Sequence, residues 1–63
     1  MSEEEERQRL LSDMHGRLAT LDEVRAVMAR QRDWLKRHPD DREVLESGES
    51  LVMLERAFVL MRR

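Results

Sequence analysis

Apolar residues recur along this chain at helical spacing in three blocks, and two short polar breaks separate them. In the middle block Leu21, Val24, Val27, Met28, Trp34 and Leu35 fall on one face of a helical wheel, with Gln31 its only polar member. Arg25, Arg32 and Lys36 flank one edge of that stripe and Arg30 and Arg37 the other, while Asp22, Ala26, Ala29 and Asp33 form the outer face. In the last block Val44, Ser47, Leu51, Leu54, Phe58 and Met61 alternate three- and four-residue steps, the period of a coiled-coil-like seam. Leu45, Val52 and Val59 recur every seven residues about 100° away, with Gly48 between the two rows. A helix with two apolar rows has two neighbours. The first block offers only Leu10, Leu11, Met14 and Leu18, behind four consecutive carboxylates.

Start and stop signals bracket the same blocks. Ser2 with Glu5, Thr20 with Glu23 and Asp40 with Glu43 each place a good capping acceptor three residues ahead of a glutamate. Gly16 follows His15 and Pro39 follows His38, both at or just beyond expected helix ends. The pattern predicts helices near 3–15, 21–37 and 41–62, with Gly16 either ending the first or kinking one long helix over 3–37. The alternating pattern of strands and the Asn-Gly turn of a hairpin are both missing, and Ala, Leu, Glu, Arg and Met dominate. The expected fold is therefore all-α: a short N-terminal helix and an antiparallel helical hairpin, forming a dimeric helical bundle.

Size sharpens that expectation. A single domain of 63 residues buries only about 60% of the surface its unfolded chain exposes, yet LVMLERAFVLM at 51–61 has nine apolar residues in eleven. Without cysteine there is no disulfide or thiolate metal site to compensate, and oligomerisation is the usual remedy. The expected partners are a second copy of the chain or another helical protein. The residues expected at that interface are Trp34, Leu35, Leu45, Leu51, Val52, Leu54, Glu55, Phe58, Val59 and Met61. Glu55 lies between the two apolar rows, either pairing with a flanking arginine at the rim or setting register across a dimer. Trp34, Phe58 and the methionines at 14, 28, 53 and 61 read first as core and second as anchors for a partner.

Charge removes other classes. Eleven arginines and one lysine stand against nine glutamates and five aspartates, for a net charge of −2, so the chain is no polycation. Nucleic-acid binding by a dimer, through Arg25, Arg30, Arg32, Lys36 and Arg37, is the alternative reading, weakened by the interspersed Asp22 and Asp33. The third helix with Arg62 and Arg63 could rest on an anionic membrane surface, but the apolar run is half the length of a span and contains Glu55 and Arg56. The acidic N-terminus does not resemble a secretory signal, and the expected location is cytoplasmic. The arginine bias and the scarcity of Lys and Tyr suggest a GC-rich genome, and a bacterial regulator or adaptor is a natural context.

Catalytic chemistry has little to work with. His15 and His38 both sit at expected helix ends, where imidazole can cap carbonyls, and neither has a same-face carboxylate at helical spacing for a metal. Ser12, Ser47 and Ser50 lie in no nucleophile elbow, and the isolated Gly16 and Gly48 form no phosphate loop. The sequence predicts a non-enzymatic protein needing no cofactor.

Overall fold

The computed structural model describes residues 2–62. Among them the chain is all-helical, with α1 over Glu3–His15, α2 over Leu21–Arg37 and α3 over Arg42–Met61. Each helix opens on a side-chain cap. Ser2 Oγ accepts from the Glu5 amide and Thr20 Oγ1 from the Glu23 amide, both at 3.2 Å, and the Glu23 carboxylate in turn accepts from the Ala19 amide at 2.8 Å. The third cap falls one residue later than the sequence suggests: Asp41, rather than Asp40, accepts from the Val44 amide at 3.4 Å. Pro39 and Asp40 occupy the turn instead, closed by the Asp41 amide donating to the His38 carbonyl at 3.2 Å.

Gly16 ends α1 rather than kinking a longer helix. Its backbone is extended, at φ −81° and ψ 178°, and its amide donates to the Asp13 carbonyl. The α2 and α3 contacts descend one helix as they climb the other: Trp34 meets Asp41, Gln31 meets Val44, and Arg25 meets Glu55. The two helices run in opposite directions. α1 also opposes α2, with Glu6 bonded to Arg37 and Asp13 to Arg30, so it lies alongside α3 in the same sense.

The core collects Leu10 and Met14 from α1, Val27 and Trp34 from α2, and Val44 and Leu51 from α3, with Leu11, Leu18, Met28 and Leu35 packed around it. α1 thus covers one side of α3, but only over its first half. His15, the last residue of α1, places Nε2 3.1 Å from Ser47 Oγ, while α3 runs on to Met61. Arg63, expected beside Arg62 at the end of the last helix, lies outside the described residues.

One carboxylate ties all three helices together. Asp41 receives Nε and a terminal nitrogen of Arg7 from α1, at 2.8 and 3.1 Å, and the Trp34 indole N–H from α2, at 2.9 Å, while capping α3. The Arg7 guanidinium holds the Asp41 carboxyl well below the usual carboxylate range against the opposing effect of burial, and the Trp34 and Val44 N–H groups act in the same sense as Arg7. Arg7 also reaches Glu43 at 2.8 Å, and its own pKa is raised chiefly by the bond to Asp41. This explains the displaced cap, because only the carboxylate at 41 gains partners on both other helices.

Gly48 is buried where α3 packs against Gln31 of α2. A Cβ there would overlap the Gln31 side-chain amide, and that amide donates to the Val44 carbonyl at 3.2 Å. Gly48→Ala displaces only the flexible end of Gln31, so one lost hydrogen bond of ~1 kcal/mol offsets the ~1 kcal/mol gained in helix propensity. Its denaturation midpoint is expected close to that of the wild type. Gly48→Leu cannot be accommodated in this way and should cost about 2–3 kcal/mol by forcing the helices apart. Equal midpoints for the leucine and alanine variants in urea would contradict this close approach.

Candidate functional site

The side of α3 away from α1 carries the surface most unlike the rest of the molecule. Among the described residues the large hydrophobics left exposed are Leu45 (54%), Val52 (40%), Met53 (72%), Leu60 (67%) and Met61 (74%), all of them on α3. Leu54, Phe58 and Val59 are half-buried beside them. Leu45, Val52, Met53 and Leu60 point away from the row of Val44, Ser47 and Leu51 that α3 buries, and Met61 lies beyond the end of α1. Isolated exposed hydrophobics are ordinary on a protein surface, and a group confined to one helix is the feature that sets α3 apart.

The residues expected at an interface divide into three groups. Leu45, Val52 and Met61 are exposed. Leu35, Leu54, Glu55, Phe58 and Val59 are half-buried. Trp34 and Leu51 are buried within the chain, Trp34 with its N–H on Asp41 and Leu51 in the core. Leu60 is not among the residues expected at the site, and Met53 is expected there only as a second reading after core. They follow Val52 and Val59 directly and lie on a third side of the helix, a signal present in the unbroken apolar character of 51–61.

Glu55 reaches the rim. Its carboxylate lies 3.4 Å from Arg25 Nε of α2, so its partner is inside the chain. Most of the expected phosphate-binding cations are similarly occupied. Arg30 bonds Asp13, Arg37 bonds Glu6 at 2.7 Å and Asp33 at 3.0 Å, and Arg25 bonds Glu55. The Arg37 pairing lowers the Glu6 pKa and raises that of Arg37. Arg32 and Lys36 have no carboxylate partner among the described residues.

The histidines serve structural contacts. His38 caps α2, its amide donating to the Trp34 carbonyl at 2.8 Å and its ring tilted against the indole at a centroid distance of 4.1 Å. Its Nε2 lies 3.5 Å from a Glu3 carboxylate oxygen. Among the described residues no three His, Asp or Glu side chains converge to hold a metal ion. The groove between α1 and α2 is lined by Glu6, Arg9, Asp13 and Arg30, of which Glu6, Asp13 and Arg30 are engaged in ion pairs. No helix among the described residues is long and apolar enough to cross a membrane. Comparison of the chain with protein-family models, curated proteins and solved structures returned no match.

Proposed function

We propose that the chain is a small non-enzymatic helical interaction protein that acts stoichiometrically, as a homo-oligomer or by docking a helical partner, through the open side of α3. The observation that carries this reading is the confinement of the exposed large hydrophobics to that one helix. Burying such a group recovers roughly 25 cal/mol per Å² of apolar surface, a gain the single chain forgoes because these side chains face away from its core. A regulator, adaptor or accessory subunit working in the cytoplasm would use the surface in this way. The arginine-rich α2 supports the nucleic-acid alternative less well, since three of its five cations face carboxylates of the same chain.

Light scattering coupled to size-exclusion chromatography, over a concentration series, tests the reading together with a fluorescent amphipathic-helix peptide bearing leucines at heptad spacing. The wild-type chain is expected to associate with itself or to take up the peptide. Val52→Glu, at an exposed position that leaves the core intact, is expected to abolish both while the circular dichroism stays helical. A wild-type chain that remains at 7.6 kDa to millimolar concentration and leaves the peptide free would overturn the proposal.

A further inference from the structure

The open face of α3 reads the same in both directions. Between Leu45 and Leu60 its exposed members are Leu45, Glu49, Val52, Met53, Arg56 and Leu60, which fall within an arc of roughly 100° of the helix, with Arg42 on the same arc at its start. Counted along the chain their separations are four, three, one, three and four residues. Two such faces laid antiparallel, with a two-fold axis passing between Val52 and Met53, bring each position onto a counterpart of matching kind. Leu45 meets the other copy's Leu60, Val52 meets its Met53, and Glu49 meets its Arg56, every contact occurring twice. An isologous interface demands this self-complementarity.

Charge sets the direction. Glu49 and Arg56 are exposed and have no ion-pair partner among the described residues. They stand about 10 Å apart along the helix axis, too far to neutralise each other. Both lie near the middle of the arc, so in a helix pair they occupy the seam between apolar layers. A parallel pair would set Glu49 against Glu49 and Arg56 against Arg56. An antiparallel pair converts both clashes into reciprocal ion pairs, the kind of seam charge that specifies orientation and register in paired helices.

We infer that the occupant of this face is a second copy of the same chain, docked α3 against α3 in antiparallel orientation about the Val52–Met53 midpoint. The inference rests on the reading of α3 as an association surface and gives that surface its partner. Contact runs from Leu45 to Leu60, about 22 Å of helix. A seam of that length without other elements is a small interface, so the dimer is expected to dissociate on dilution.

A charge-exchange series read by light scattering tests the arrangement. Arg56→Glu alone should weaken dimerisation on the order of a hundredfold, because two ion pairs become two carboxylate clashes. Glu49→Arg alone should do the same, and the double exchange E49R/R56E should restore dimerisation to within a few-fold of wild type. A parallel dimer would be indifferent to the first change, since its like charges stay alike. The chain has no cysteine, so E49C and R56C can report the geometry directly: under oxidation, linked dimers should form when the two single variants are mixed and not from either alone.

A wild-type monomer at millimolar concentration overturns the second copy as occupant. If that monomer takes up the amphipathic peptide, α3 is still a docking surface for a different chain. Dimerisation that neither Val52→Glu nor Arg56→Glu affects overturns the inference and the proposed function together.

Discussion

Leu51→Ala is expected to leave the chain largely unfolded at room temperature. The leucine is 1% exposed and sits where α1, α2 and α3 converge, so truncation removes contacts to all three and leaves a cavity that helices pinned at one end cannot close. Buried leucine-to-alanine changes cost about 3–5 kcal/mol. A core this small rarely supplies more than about 3–5 kcal/mol in total, so one such cavity consumes most of the margin. The measurement is a thermal melt followed by circular dichroism in dilute solution, with Trp34 emission as a second probe. Leu60→Ala, on the exposed side of the same helix, should shift stability there by less than about 0.5 kcal/mol. Similar melting temperatures for these two variants would refute the division of α3 into a buried and an open side.

Asp41→Ala is expected to destabilise the chain by about 3 kcal/mol. The change removes an N-cap, at ~1 kcal/mol, and strands the Trp34 N–H and the Arg7 guanidinium, with a further 1–3 kcal/mol for the buried donor alone. Asp41→Asn keeps an oxygen for the cap or for the indole but not for both, since Val44 bonds Oδ1 and Trp34 bonds Oδ2, so it should cost less than alanine while removing the contribution of charge. That contribution depends on pH with a definite sign. The folded pKa of Asp41 lies below its ordinary value of 3.8, and that of Glu6 below 4.5, so both groups stabilise the fold fully at neutral pH. As pH falls below about 4 the unfolded chain takes up protons before the folded one does, and stability declines towards the folded pKa values. The wild-type urea midpoint should therefore drop between pH 5 and pH 2.5. The Asn variant should show a shallower drop, because only Glu6 retains its lowered pKa. Parallel pH profiles for wild type and Asp41→Asn would remove Asp41 from this role.

These expectations depend on different parts of the sequence. Helix positions were legible because their signals are local: Ser2 and Thr20 cap as their spacing to Glu5 and Glu23 suggests, and Gly16 stops α1. The choice between Asp40 and Asp41 was not local. Both aspartates suit a cap, and the decision came from Arg7 and Trp34, which are distant in the chain or on the other helix. The same holds for Trp34 and Leu51. Their apolar character showed that they would be buried, but whether by this chain or another depended on how far α1 reaches along α3. A wheel could not show where α1 ends relative to Ser47. The arrangement of Glu49 and Arg56 gains meaning only once burial separates the open face from the covered one. Without that division Glu49 was one acidic residue among several on an outer surface.

The unequal reach of α1 and α3 also grades how firmly different parts of the molecule are held. At the Asp41 end three helices are locked by hydrogen bonds and by Trp34, whereas the last turns of α3 have one neighbouring helix and no second flank. Opening free energies in such a bundle are expected to rise from the Met61 end towards the turn at Pro39, so that hydrogen exchange in the tail should outpace that at the hub. Anything that binds the tail only when it is ordered draws its affinity partly from suppressing that opening, and by mass action it raises the stability of the whole chain. With α3 as the proposed docking surface, the melting temperature is expected to rise with the concentration of partner, rather than being a constant of the sequence.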